Sequence, residues 1–300
     1  MVHGEGTHVT VAETPPTPDW AEHARRALEE DAASRDVTTQ LLGATADAAA
    51  IGSFRAEEDF VLAGLPMIEA IFRQLAPDVR IAHEWEEGAA VRNGATLAVV
   101  RASARVLLAG ERVALNYVQR LSGIATITRQ AVDTLAGTGA VVTDTRKTTP
   151  GLRSVEKYAV RVGGGVNHRQ SLSDAILWKD NHWALLATES RSFHDAIRSA
   201  PPDLPLQVEV ETEQQLETAL AAGAKMLLVD NQPPEIVAQW TARAGPEVII
   251  EASGGIAPAD AGAYARAGAH RISIGALTHS PKAVSISFEI GLEERGTKSE

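Results

Sequence analysis

The sequence predicts an α/β protein in which a mixed α/β region precedes a run of strand–helix units wound into a barrel. The main observation is periodic. Short apolar strands at 140–143, 174–178, 206–210, 226–229, 247–250 and 271–274 alternate with helical stretches at 152–161, 189–199, 213–222, 234–243 and 258–267. Such alternation builds parallel strands, and this many units favours a barrel over an open sheet. An open doubly wound sheet is the alternative. No Gly-x-Gly-x-x-Gly follows a first strand, which weighs against a dinucleotide domain.

Taken in order, residues 1–17 are polar and proline-rich and read as a flexible arm. Residues 18–31 form a helix with Trp20, Ala24 and Leu28 on one side. Asp36-Val-Thr-Thr follows as a turn or cap. Residues 47–63 read as strands with Phe54 and Val61 inward, and Pro66 starts a helix with Ile68, Ile71, Phe72 and Leu75 as its apolar stripe. Short strands over 79–101 surround Gly88 and Asn93-Gly94, a hairpin signal. A long helical segment spans 104–136, where Val113, Tyr117, Leu121, Ile124 and Leu135 keep helical spacing and Gly123 marks a kink or break. Within the repeating part, the helices from Thr212 and Pro258 close at Gly223 and Gly268, as helix C-termini do.

Composition removes several functions. The chain has 300 residues, 44% of them hydrophobic, and no cysteine. Disulfides, thiolate catalysis and cysteine-ligated metals are therefore excluded. A net charge of −11 argues against a nucleic-acid partner. No apolar run approaches the roughly 18 residues of a membrane span. The N-terminus has no basic start or apolar core, so no secretory signal is expected and the cytoplasm is the expected location.

One stretch runs against the charge of the whole. Between residues 143 and 182 seven cations (Arg146, Lys147, Arg153, Lys157, Arg161, Arg169 and Lys179) face four acids (Asp144, Glu156, Asp174 and Asp180), a local +3. That points to a site for a small anion. Residues at the C-terminal ends of barrel strands face the active site. In order these ends carry Asp144-Thr-Arg146-Lys147, Lys179-Asp-Asn-His182, Glu209 or Glu211, Asp230-Asn231, Ser253-Gly254-Gly255 and Gly275. Ser253-Gly-Gly-Ile256 opening a helix, with Gly275 beside it, would cradle a phosphate on main-chain N–H groups. Glu209 and Asp230 suit Mg²⁺, sugar hydroxyls or a cationic transition state, and a buried salt bridge to Lys179 or Lys147 is the structural alternative. His168 and His182 lack partners at zinc-ligand spacing. The residues alone thus indicate an enzyme for a small, phosphorylated, strongly anionic substrate.

Several segments together resemble the quinolinate phosphoribosyltransferases, the carboxylating nicotinate-nucleotide pyrophosphorylases. They are Asp36-Val-Thr-Thr, Glu111-Arg-Val-Ala-Leu-Asn116, Ser122-Gly-Ile-Ala-Thr126, Asp144-Thr-Arg-Lys-Thr148, Gly163-Gly-Gly165, Asn167-His-Arg169, Lys179-Asp-Asn-His182, Glu209-Val-Glu211, Asp230-Asn231, Glu251-Ala-Ser-Gly-Gly-Ile256 and Gly275-Ala-Leu-Thr-His279. The resemblance implies a mixed α/β N-terminal domain (18–122 with 283–300) on an incomplete α/β, TIM-like barrel (123–282). It also implies a homodimer in which Arg112 enters the partner's site.

The implied reaction joins quinolinate to phosphoribosyl pyrophosphate, with decarboxylation, in NAD biosynthesis. Arg112, Arg146, His168, Arg169 and Lys179 would grip the two carboxylates, which arginine forks suit. Lys147 would hold pyrophosphate, or else face quinolinate. Ser253, Gly254, Gly255 and Gly275 would hold the 5-phosphate, with His279 among the substrate contacts. Glu209 and Asp230 would take the ribose hydroxyls and Mg²⁺, and with Lys147 and Lys179 form the catalytic set. Trp178, Trp183 and Gln170-Ser171 depart from the family pattern. The tryptophans are expected to repack the barrel or else to reshape the pocket. Transfer to nicotinate without decarboxylation, and a catalytically dead binding protein, are the competing readings.

Overall fold

The computed structural model describes residues 16–292. The expected arm therefore lies, up to residue 15, outside the described residues, as does the tail after residue 292.

Helix α1 (Trp20–Glu30) starts where the Asp19 carboxylate accepts from the Glu22 N–H at 3.0 Å, and it buries Ala24 and Leu28. Asp36 caps a single turn, α2 (Val37–Gln40), accepting from the Thr38 and Thr39 N–H groups at 2.9 and 3.1 Å. Strands β1 (Ala49–Ala56) and β2 (Phe60–Val61), helix α3 (Leu65–Leu75), and strands β3 (Arg80–His83), β4 (Ala90–Val91) and β5 (Thr96–Ser103) complete this region. The last strand among the described residues, β12 (Ile286–Leu292), returns to it and gives an antiparallel sheet in the order β12-β1-β5-β3. Under that sheet Phe54, Phe72 and Phe288 meet, with Phe54 centred 6.2 Å from Phe72 and 4.6 Å from Phe288.

The Asn93-Gly94 turn does not make a hairpin. It joins β4, which pairs with β2, to β5, which pairs with β1 and β3. The turn is instead tied to the β1–β2 connection: Asp59 accepts from Asn93 N–H at 2.9 Å and Gly94 N–H donates to Ala56 O at 2.8 Å.

Helix α4 (Ala104–Asp133) runs unbroken through Gly123. The glycine serves close approach, because a Cβ there would overlap the Lys282 carbonyl where the chain crosses on its way to β12. Ser122, the residue before it, accepts through Oγ from Ala63 N–H at 3.0 Å, and Thr126, about one turn on, accepts through Oγ1 from Val61 N–H at 2.9 Å.

The second half is β6 (Val141–Thr143), α5 (Arg153–Val162), β7 (Ile176–Trp178), α6 (Asp180–Leu186), α7 (Phe193–Ile197), β8 (Leu206–Val210), α8 (Glu213–Ala221), β9 (Met226–Asp230), α9 (Pro234–Ala244), β10 (Ile249–Ser253), α10 (Ala261–Arg266), β11 (Arg271–Ser273) and α11 (Ala276–His279). Its six strands are parallel in the order β6-β11-β10-β9-β8-β7. The first strand is hydrogen-bonded to the last while the rest stay in sequence order. A doubly wound sheet reverses its order at a switch point, so this sheet is a barrel. A lone parallel bridge, Thr143 to Val166, adds a seventh stave beside β6. No pairing among the described residues joins that stave to β7, and the barrel is incomplete there.

The helix expected over 189–199 is shorter, Phe193–Ile197, and the Lys179-Asp-Asn-His stretch starts helix α6. Here Lys179 is the N-cap residue, and His182 Nδ1 accepts the Lys179 N–H at 2.8 Å, a cap that turn-type residue identity conceals.

Candidate active site

Because the barrel strands are parallel, their C-terminal ends share one rim. Immediately after β6, Asp144 is buried and Lys147 exposed, with Arg146 half-buried between solvent and barrel. The buried Nε of Arg146 has no hydrogen-bond partner. On the next stave, Arg169 donates to Ala175 O at 2.8 Å. Burial, and then the nearby Arg146 charge, hold the Arg169 guanidinium below its ordinary value. Two arginines that repel one another, one with an unused donor, form a site that an anion stabilises.

Across the rim, Lys179 Nζ donates to Glu209 Oε2 at 2.6 Å, and the Asp180 N–H reaches Glu209 Oε1 at 3.4 Å. Glu209 is nearly buried and Lys179 half-exposed, so the salt bridge foreseen as the structural alternative does form. Asp230 ends β9 and accepts from Asn231 Nδ2 at 2.7 Å. Three or more His, Asp or Glu side chains do not converge anywhere among the described residues. Glu209 and Asp230 therefore suit Mg²⁺ only in the manner usual for that ion, one or two carboxylates with substrate phosphates and water completing the shell.

Asp230 lies opposite Ser253 in the β9–β10 register, which brings the Asp-Asn end against the glycine loop. Gly254 and Gly255 both have positive φ, 91° and 61°. A Cβ at Gly254 would come within 2.8 Å of Asn231 Cα and overlap its main-chain nitrogen, while Gly255 faces open space. The loop does not open directly onto a helix: a 3-10 turn at Pro258–Asp260 intervenes before α10. The phosphate cradle expected here would therefore rest on loop N–H groups and not on a helix dipole. Gly275 sits by Lys147 and His279. A Cβ on it would lie 3.1 Å from Lys147 Cδ and 3.2 Å from His279 Cδ2. Asp230, Ser253, Gly254 and Gly255 thus form one corner of the rim, and Lys147, Gly275 and His279 another.

Besides Arg169 and Lys179, three more of the seven cations are bonded inside the fold. Lys157 is fully buried and donates to Asp144 Oδ1 at 2.6 Å, His168 O at 2.8 Å and Arg169 O at 3.2 Å. Arg161 donates to Asn167 Oδ1, whose Nδ2 returns to Asp144. Arg153 donates to Thr148 Oγ1 and Gln170 O, each at 3.0 Å. These three fix the main chain that aims Arg146 and Arg169. Sequence reasoning missed that role, and it missed Arg120, which joins Glu156, Thr149 and Thr278 O at 2.9, 3.3 and 2.6 Å.

It also missed a polar row inside the barrel: Thr143, Gln207, Glu251 and Ser273, all buried. A signal existed, since Gln207 and Glu209, and likewise Glu251 and Ser253, are two apart on one face of a strand. His168 belongs to this row, and both its ring nitrogens are engaged within the chain. Arg112 stands apart on α4, its side chain 61% exposed, with the Glu111 carboxylate 3.9 Å away. Trp178, Trp183 and Phe193 pack together where β7 meets α6 and α7, with Trp183 edge-on to Trp178 at 5.9 Å and tilted against Phe193 at 4.5 Å between ring centres. Trp183 Nε1 donates to Glu209 O at 2.9 Å, so this aromatic packing backs the Lys179–Glu209 pair.

An incomplete parallel barrel whose strand ends gather arginines, lysines, two acids and a glycine loop defines an α/β-barrel enzyme of anionic, phosphate-bearing substrates. Residues 124–289 match the C-terminal domain of quinolinate phosphoribosyl transferase, and residues 36–122 match the N-terminal domain. The chain belongs to the quinolinate phosphoribosyltransferase family. It is 41% identical over 274 residues to the carboxylating nicotinate-nucleotide pyrophosphorylase of Mycobacterium leprae, covering 89% of this chain and 95% of that one. It is 39% identical over 269 residues to a probable enzyme of the same name from Bacillus subtilis, covering 90% and 92%. Among solved structures, NadC from Streptococcus pyogenes superposes with a TM-score of 0.86 at 36% identity, covering 94% of this chain and all of that one.

Proposed function

We infer that this protein transfers a phosphoribosyl group from phosphoribosyl pyrophosphate to quinolinate and releases nicotinate mononucleotide, pyrophosphate and CO₂. The observation that carries this reading is the Arg146–Arg169 pair, two half-buried arginines near enough for the charge of Arg146 to act on Arg169, the first with an unpartnered Nε. A pyridine with two adjacent carboxylates supplies the missing charge to both.

In the proposed reaction, the bond from ribose C1 to pyrophosphate breaks with its electron pair leaving on pyrophosphate. C1 becomes oxocarbenium-like, and Glu209 and Asp230 stabilise that charge. The quinolinate nitrogen bonds to C1 and becomes a pyridinium. That cation accepts the electrons left when the neighbouring carboxylate departs as CO₂, and the ring carbon then takes a proton. Lys147 and Lys179 are assigned to the pyrophosphate and carboxylate charges, and Mg²⁺ neutralises phosphate charge when bound with the co-substrate. Ser253, Gly254, Gly255 and Gly275 are assigned to the 5-phosphate, with His279 beside them.

Arg112 is proposed to act across a homodimer, from the domain built by 18–122 and 283–300 onto the partner's barrel of 123–282. Its exposure on α4 and the return of β12 to β1 support this. The cytoplasm is the proposed compartment, because the co-substrate is an activated phosphosugar and no helix among the described residues can cross a membrane.

The test is product analysis with carboxyl-labelled quinolinate, phosphoribosyl pyrophosphate and Mg²⁺, run beside nicotinate. Labelled CO₂ and nicotinate mononucleotide from quinolinate alone are expected. Turnover of nicotinate alone overturns the assignment.

A further inference from the structure

A continuous hydrogen-bonded row crosses the barrel interior from β6 to the seventh stave. Thr143 Oγ1 meets Ser273 Oγ at 2.7 Å, and Ser273 Oγ donates to Glu251 Oε1. Gln207 Nε2 donates to Glu251 Oε2 at 2.9 Å, and Gln207 Oε1 pairs with His168 Nε2 at 3.0 Å. At the far end the Arg169 main-chain N–H donates to His168 Nδ1 at 2.8 Å. Glu251 is fully buried, and Gln207 and Ser273 nearly so. No described cation pairs with Glu251 closer than His168, whose Nε2 is 3.5 Å from Glu251 Oε1.

Each orientation in this row follows from the one before. A carboxylate only accepts, so the Gln207 amide must turn its NH₂ to Glu251 and its oxygen to His168. An acceptor facing Nε2 requires the Nε2–H tautomer of a neutral imidazole. Nδ1 is then a bare lone pair, the only form that can accept the Arg169 N–H. Reversing the amide would put a proton on Nδ1 against that N–H, donor against donor. The stave carrying His168 and Arg169 has no strand neighbour on its β7 side among the described residues, so side-chain bonds must do what a sheet ladder does elsewhere.

We propose that Glu251 is a positioning residue: acting through Gln207, it locks the tautomer of His168 and thereby the main chain that presents Arg169. His168 is in this view a partly buried link of the fold, held also at its N–H by Asp144 (2.9 Å) and at its carbonyl by Lys157 (2.8 Å), and not itself a carboxylate ligand. The consequence for substrate rests on the reading of Arg169 as a quinolinate ligand.

The test joins a spectroscopic signature to kinetics. In the ¹⁵N-histidine-labelled full-length protein, long-range ¹⁵N–¹H correlations report each imidazole tautomer, and His168→Asn identifies the His168 signal. The wild type is expected to show Nε2–H at His168. Glu251→Gln, which can both donate and accept, and Gln207→Met, which cuts the row on the other side, are each expected to shift it toward a tautomer mixture or Nδ1–H. Glu251→Gln should raise the KM for quinolinate about fivefold to tenfold, the size of one net hydrogen bond, with the KM for phosphoribosyl pyrophosphate unchanged. The same substitution in a His168→Ala background should add nothing. An Nδ1–H tautomer in the wild type, a tautomer indifferent to both variants, or an equal KM effect without His168 overturns the proposal. If the tautomer follows residue 251 while the wild type turns over no quinolinate, the functional reading fails and the relay stands.

Discussion

Replacing Lys157 with methionine removes the fully buried cation of the strand-end network at nearly constant length. Both members of the Lys157–Asp144 pair are fully buried, with Nζ 2.6 Å from Oδ1. Burial works against each charge, holding the Lys157 ammonium below and the Asp144 carboxyl above their usual values, while their mutual attraction opposes both shifts. Taking away one partner leaves a buried carboxylate without its cation, a loss of about 3–5 kcal/mol. The carbonyls of His168 and Arg169 lose their donor as well. At about 2–4 °C per kcal/mol for a domain of this size, the melting temperature should fall on the order of 10 °C. Differential scanning calorimetry of Lys157→Met measures it directly. Asp144→Asn combined with Lys157→Met removes the stranded charge and should recover part of the loss. A single variant that melts within about 2 °C of wild type, below the effect of 1 kcal/mol, would refute the pairing as a source of stability. A double variant no more stable than the single would show that the Asp144 charge is not what the lysine balances.

Three further outcomes are expected. Gly254→Ala forces a side chain onto Asn231 at a positive φ, so it should lower stability by about 1–3 kcal/mol and abolish calorimetrically detectable binding of phosphoribosyl pyrophosphate. Normal binding would remove the loop from the phosphate site. Arg112→Ala and Lys147→Ala, each inactive alone, should regain part of the activity when mixed if the proposed homodimer forms, because a mixed dimer would then hold one intact site. No regain despite demonstrated subunit exchange would place Arg112 in its own chain's chemistry. Glu87 accepts from the Gly64 and Leu65 N–H groups and from Tyr158, yet burial, the largest influence, raises its carboxyl above the ordinary range. The folded state therefore holds that proton more tightly than the unfolded chain. Its contribution is complete below the ordinary glutamate value and is lost as pH rises through the raised one. The melting temperature of wild type relative to Glu87→Gln should accordingly decline across that window, and a difference that stays flat or grows with pH would contradict it.

Much of the fold was legible because it is written in local periodicity. The parallel strands lie within a residue or two of the apolar runs except at β10, which extends through Ser253 to the rim. The errors share a cause. Gly123 reads as a break and is a point of close approach to Lys282, and Asn93-Gly94 reads as a hairpin between strands that pair elsewhere. In each case a partner far away in sequence decided what the glycine was for. The candidate site residues were legible as types at strand ends. Their division of labour was not, since Lys157 and Arg153 carry the same charge as Arg146 and Arg169.

By itself the sequence determined the class of fold, the rim on which the candidate site residues gather, the excess of cations there and the family. Those properties follow from period, turn residues and motif order, which a chain carries before it folds. Only the tertiary structure decided which cations are spent on main-chain carbonyls, that the first barrel strand pairs with the last, and that Glu251, Gln207 and His168 form one row. Burial and long-range hydrogen bonding settle these, because the cost of leaving a charge or a donor unpaired exists only once the chain has excluded water around it.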